Sequence, residues 1–157
     1  MDSRWRKAAL VSQSLLLIYF EICTWIPLGA WNGQWAYPEE QSFSTSIGPL
    51  AIGLGTAVLI VATALRIRWL MWIGIIGHST WFIAQATSIW PPYFVGASPQ
   101  YAAMYSRVWG RTTKILPSWG DHLAPDAMHV FIQVLLLALL VATIAVLRTD
   151  KGTKSDG

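Results

Sequence analysis

Charge is what this chain has least of. Asp, Glu, Lys and Arg make up 12% of its 157 residues, against 54% hydrophobic residues and a mean hydropathy of +0.45. Average soluble domains carry roughly 25% charged residues. A chain this poor in charge cannot cover a water-exposed surface, and its length allows one domain. Cysteine is nearly absent: Cys23 stands alone. That excludes an intramolecular disulfide, zinc ribbons, and the dithiol chemistry of four-helix quinone-coupled thiol oxidases. Cys23 itself reads as a small buried hydrophobe.

Blocks of Lys and Arg are missing too, as is any nucleic-acid fold signature. The net charge of +3 therefore does not mark a nucleic-acid partner. No metal-ligand spacing occurs: Asp121 and His122 are adjacent and do not easily face one ion. His78 and His129 would differ in depth by about 13 Å, too far for the two axial positions of one haem. No metal or cofactor is expected, and no family motif is present.

What the chain does have is long apolar runs. Four are long enough for roughly 30 Å of hydrocarbon: 8–28, 47–65, 69–90 and 127–147. The first is longer than the roughly 7–15-residue core of a signal peptide and contains Gln13 and Glu21, so it reads as a retained anchor. Arg4, Arg6 and Lys7 precede it. Arg66 and Arg68 turn the second run into the third, and Arg148, Lys151 and Lys154 follow the fourth. Only Arg107, Arg111 and Lys114 fall on the other side. The positive-inside rule then puts both termini in the cytoplasm. The segment Trp31 to Thr45 has Glu39 and Glu40 and no Lys or Arg, as an outer loop should.

The ten Trp agree with these spans. Trp5, Trp69 and Trp72 fall at the inner interface; Trp25, Trp31, Trp35, Trp90, Trp109 and Trp119 fall at the outer one, where indole prefers to sit. Trp81 is the mid-span exception. The fold expected is an all-α integral membrane protein of the plasma membrane. It is a four-transmembrane-helix bundle, N-in and C-in, forming a single membrane domain over 1–149. A long outer loop (91–126) joins the third and fourth spans, and a polar cytoplasmic tail covers 150–157.

Within that loop, Pro91-Pro92 should end the third helix, and Ser98-Pro99 reads as an N-cap with Pro at N1. The pattern from Pro99 to about Ile115 is amphipathic. Tyr101, Tyr105, Val108, Thr112 and Ile115 share one face; Arg107, Arg111 and Lys114 share another. An interfacial helix is expected there, stopped by Pro117, with its basic stripe either solvated or binding an anionic headgroup.

Small residues give the spans close-packing faces: Gly48, Ala51, Gly55 and Ala62 on the second, Gly74, Gly77, Ala84 and Ser88 on the third. Polar residues inside spans are costly and face the bundle interior. Glu21, Ser14 and Thr24 share a face of the first span, with Gln13 beside them. The third span has His78 and Gln85; the fourth has His129 and Gln133. At the helical rise, Glu21, Gln85 and Gln133 lie about 20, 24 and 21 Å above the inner end.

This shared depth points to an outward-facing pocket. Its polar contacts would be Glu21, Gln85, Gln133 and His129, with His78 lower. Trp25 and Trp81 would be its walls, and Asp121, His122 and Asp126 its rim. The plain alternative for these residues is interhelical hydrogen bonding, with His78 a satisfied core histidine. The function that fits the pocket is non-enzymatic binding of a small amphiphile or lipid. Two alternatives stand beside it. One is an accessory subunit that uses the small-residue faces for a membrane partner or a second copy. The other is a membrane enzyme acting on a lipid or isoprenoid, with Glu21 as acid and His129 or His78 as base.

Overall fold

The computed structural model describes residues 3–33 and 47–149. Trp35, Glu39 and Glu40, expected in an outer loop, and Lys151 and Lys154, expected in a polar tail, lie outside the described residues. The described elements are helices: α1 (Ser3–Trp25), α2 (Ile47–Leu65), α3 (Arg68–Phe94), α4 (Pro99–Trp109) and α5 (Ala127–Thr149), with a 3-10 turn at Gly29–Trp31. Among the described residues, extended pairing is limited to isolated bridges.

α1, α2 and α5 are long and apolar enough to cross a membrane. α3 is longer, at 27 residues, but is diluted by His78, Ser79, Thr80, Gln85, Thr87 and Ser88 and is not among them. α1 packs on α2 and α5, and α3 packs on the same two helices. Leu16, Leu59, Met71, Leu136 and Leu139 fill the centre with no exposure. The outward faces are apolar as well. Val11, Leu15, Ile18 and Ile22 on α1, and Val134, Leu137 and Val141 on α5, recur at helical spacing and are all exposed. Water does not tolerate apolar stripes of that length, and lipid does.

The α2–α3 turn is built on Arg66, which takes the left-handed conformation (φ 60°) usually given to glycine. Ile67 N–H then reaches back to the Ala62 carbonyl at 2.8 Å, the six-to-one bond that closes a helix C-terminus. Two arginines cap free carbonyls at the same end. Arg6 donates to Ala64 O at 2.5 Å, and Arg68 donates to Leu147 O at 3.1 Å. The start of α1, the end of α2, the start of α3 and the end of α5 therefore share one basic end.

Helix contacts are close where small residues permit. A Cβ at Gly74 would come within 2.6 Å of Leu59 Cδ1, so glycine there lets α2 and α3 approach. Polar bonds add register. Gln13, fully buried on α1, donates from Nε2 to Thr63 Oγ1 on α2 at 2.9 Å and to Thr143 Oγ1 on α5 at 3.0 Å. One carboxamide thus ties three helices. His78 ties the fourth: its Nδ1–H donates to Gly74 O at 2.7 Å, and its Nε2 hydrogen-bonds the Thr56 hydroxyl at 3.0 Å, which also lies 2.9 Å from Ile52 O.

Two boundaries differ from the sequence reading. α3 does not stop at Pro91-Pro92 but continues to Phe94. Proline there removes only late hydrogen bonds, and the Ser88 carbonyl that Pro92 cannot serve accepts instead from Tyr101 Oη at 2.5 Å. α4 ends at Trp109, not near Ile115. Thr112 turns its hydroxyl back onto the Trp109 carbonyl at 2.7 Å, and Thr113 leaves to pair with the chain after α1. β-Branched residues with local hydrogen bonds compete well against one more helical turn.

Replacing Gln13 by Ala should destabilise the fold by on the order of 1–2 kcal/mol, from two lost hydrogen bonds and a cavity. Gln13→Leu, which keeps the volume, should cost less. Melting of the three proteins in mild detergent tests this. Equal melting temperatures would show that the three-helix bond does not hold the bundle.

Candidate functional site

The end opposite the basic one is closed by a cap made from the α1 exit, α4 and the chain leading into α5. Asn32 begins it. Its Nδ2 donates to the Cys23 and Ile26 carbonyls at 2.9 and 2.7 Å, and its Oδ1 accepts from Leu28 N–H at 3.1 Å. Gly33 follows, in the left-handed conformation (φ 62°) and so close to Thr112 that a Cβ would lie 2.7 Å from its methyl carbon. Thr113 N–H donates to Ala30 O at 2.7 Å, and Ala127 N–H donates to Thr113 O at 2.8 Å. With Ile115 N–H on Pro125 O at 3.1 Å, these bonds lay Lys114 antiparallel to Asp126.

Asp126 is the centre of the cap, with only 1% of its surface exposed. It is the N-cap of α5: Oδ1 accepts the His129 backbone N–H at 3.0 Å. The same carboxylate accepts His129 Nδ1–H, with oxygens at 2.8 and 2.7 Å. An ionised carboxylate only accepts, so Nδ1 carries the proton. Among the described residues, Nε2 has no hydrogen-bond partner. The Trp109 ring stands at 90° to the imidazole, centroids 5.3 Å apart.

Lys114 faces this pair from the other strand of the bridge. Its ammonium donates to Trp109 O, Thr112 Oγ1 and Tyr105 Oη at 2.5, 2.9 and 3.2 Å, and sits 4.7 Å from the Tyr105 ring centroid. Tyr105 Oη in turn donates to Ala124 O at 2.6 Å. Burial opposes charge on Asp126. The hydrogen bonds and charge of His129, with Lys114 behind, outweigh it and hold the carboxyl below its ordinary 3.8. Burial also pulls the Lys114 ammonium below its ordinary value, against the pull of Asp126, and pushes the Tyr105 phenol up.

The residues expected to form one pocket divide between seams. Glu21 is half-buried between α1 and α2. Its carboxylate fills the notch left by Gly53, and Oε2 accepts Trp25 Nε1–H at 2.6 Å. Gln133 faces α3, where Oε1 accepts Trp90 Nε1–H at 2.8 Å and the buried Nε2 is left unpaired. Gln85 is half-buried, with an unpaired Oε1. Trp81 packs edge-on against Phe20, 5.2 Å between centroids, and 6.3 Å from the satisfied His78. Among the described residues, none of Glu21, Gln85, Gln133, His78 and His129 hydrogen-bonds another.

Of the rim residues, Asp126 stands apart with His129. His122 donates to Tyr93 O at 2.7 Å, stacks on Trp119 and brings Nε2 to 3.8 Å from Asp121 Oδ1, while exposed Asp121 also fills the space beside Gly96. The basic stripe splits: Arg107 and Arg111 are exposed, whereas Lys114 turns inward. Sequence reasoning placed Asp126 only at the rim and missed Tyr105, Thr113 and Trp90 as structural partners. Asp126-x-x-His129 ahead of an apolar run has the spacing of a capping box, which is the signal that marks this pair. Among the described residues, no cluster of three His, Cys, Asp or Glu side chains forms a metal site. Comparison with known protein families, curated proteins and solved structures finds no match.

A depressed carboxyl value makes Asp126 a source of pH-dependent stability. Its contribution is fully present above the unfolded value near 3.8 and is lost as pH falls through the lower folded one. Asp126→Asn should keep the cap geometry, lose about 1–3 kcal/mol at pH 7, and flatten the acid limb of the melting profile. A variant with the parent's acid limb would show that another group supplies it.

Proposed function

We propose that the chain is a four-span plasma-membrane protein, with both termini cytoplasmic, that binds a small amphiphile at its outer end without turning it over. α3 is the fourth span in this reading. At the helical rise its 27 residues cover about 40 Å, it lies against α2 and α5, and Trp69, Trp72, Ile73, Ile76 and Ile83 expose an apolar face. Arg6, Arg66, Arg68 and Arg148 gather at one end, which the positive-inside rule makes the cytoplasmic one.

The observation that carries the binding reading is Gln133. It is 6% exposed, its oxygen is engaged by Trp90, and its Nε2 has no acceptor. A buried donor left unpaired costs about 1–3 kcal/mol, which a ligand carbonyl or hydroxyl would recover. Gln85 Oε1, also unpaired, would accept from a ligand hydroxyl. Trp90 and Trp81 give the α3 side apolar walls. Glu21 with Trp25 offers a second polar contact in the adjacent seam. The ligand is amphiphilic because a few polar atoms sit among extensive apolar surface.

Gln133→Leu separates ligand binding from folding. Leu needs no hydrogen bond, so the empty variant should melt at or above the parent temperature. The small molecules retained after gentle extraction, read by mass spectrometry, should fall about tenfold. Parental retention in both Gln133→Leu and Glu21→Leu would reject the reading.

Asp126 and His129 favour a second reading. A carboxylate on Nδ1 with an Nε2 that no described residue engages is the arrangement of a general base. The chain would then be an enzyme acting on a lipid or isoprenoid, with His129 as base and Glu21 dispensable. Turnover of a lipid extract that is lost in His129→Asn and kept in Glu21→Gln would favour this over binding alone.

A further inference from the structure

The basic end carries a crevice that neither reading uses. It lies in the seam of α3 and α5, encloses about 270 Å³, and is lined by Trp72, Ile144, Leu147 and Arg148. Its walls are apolar, and it opens on the outward surface of two long helices, where hydrocarbon is the surrounding medium. Arg68 donates to the Leu147 carbonyl at 3.1 Å beside it. That bond occupies part of the negative end of α5, which would otherwise oppose an anion. Arg148 is exposed, and among the described residues it has no hydrogen-bond or ion-pair partner. The Trp72 indole, 46% exposed, likewise has no partner for its N–H.

We propose that this crevice is a binding site for one anionic glycerophospholipid. An acyl chain lies along Trp72, Ile144 and Leu147, and the phosphate sits at the Arg148 guanidinium. The charge argument selects the headgroup. A guanidinium presents paired N–H donors that match two phosphate oxygens, and the Trp72 indole of the same lining carries a third N–H. The described acidic residues, Glu21, Asp121 and Asp126, belong to the outer half of α1 or to the cap, so nothing acidic among them competes for Arg148. The crevice selects a lipid over a free anion, because a phosphate alone leaves its apolar walls unfilled. Basic pockets between helices at this depth recognise anionic headgroups by the same chemistry.

The full chain, purified and placed in vesicles of phosphatidylcholine with phosphatidylglycerol, provides the test. Lipid retained on the protein after transfer to mild detergent is counted by native mass spectrometry. Phosphatidylglycerol should be retained over phosphatidylcholine. Arg148→Gln should lower that preference about fivefold. Arg66→Gln, an arginine of the same end outside the crevice lining, should leave it unchanged. Ile144→Trp, which fills the crevice, should remove retention although Arg148 remains. Excess inorganic phosphate should not displace the lipid. Thermal melts at the parental temperature confirm that each variant is folded. The proposal is overturned by retention without headgroup preference. It is equally overturned by matching losses in Arg66→Gln and Arg148→Gln, which mark a diffuse surface charge, or by displacement with inorganic phosphate.

Discussion

In hydrocarbon a polar atom has no water to turn to, and the cross-helix bonds of this chain follow from that constraint. Helices satisfy their own backbones, so the problem falls on the polar side chains and the helix ends. Gln13 meets it with Nε2, which reaches two threonines on two helices while Oε1 stays unpaired, and His78 by reaching a hydroxyl on α2 and a carbonyl one turn back. Arg6 and Arg68 settle it for the last carbonyls of α2 and α5. Each solution needs a partner from a distant part of the chain. The polar residues thus fix which helices meet and in what register, while the leucines supply contact without much choice of partner.

The two ends answer the same constraint differently. At the basic end, long flexible cations reach in and cap carbonyls, and much of each side chain stays outside. At the other end the chain folds back on itself, and an anion sits inside. Asp126 is tolerable there because it caps α5, holds His129 and faces Lys114 at once. A carboxylate with fewer partners would not remain charged at that burial.

Much of this was legible in the residues. Periodic apolar runs with basic punctuation located the long helices closely, with α2 found at Ile47–Leu65 and α5 starting at Ala127. The helix entry at Ser98-Pro99 followed from cap chemistry alone, and Ser98 Oγ does accept Tyr101 N–H at 3.2 Å. What could not be read is what depends on distant partners. The run through Pro91-Pro92 needs the Tyr101 hydroxyl, and the early end of α4 needs Ala30 as a partner for Thr113. Lys114 looked like part of a surface stripe because its ring partner, Tyr105, was assigned to the opposite face of a longer helix. Equal depth suggested that Glu21, Gln85 and Gln133 meet. Depth carries no information about azimuth, however, and Glu21 faces α2 while Gln133 faces α3.

Thr113 has a consequence for the order in which the molecule is completed. It donates to Ala30, just past the first helix, and accepts from Ala127, the first residue of the last one. Ribosomes deliver the chain from its N-terminus, so the exit of α1 waits for residue 113, and residue 113 waits for α5. Of the described helices, α1 is therefore made before the others and is among the last to have its cap end closed. Until α5 arrives, the Asn32 bonds and the Trp31 indole on the Tyr19 hydroxyl hold the first turn beyond α1.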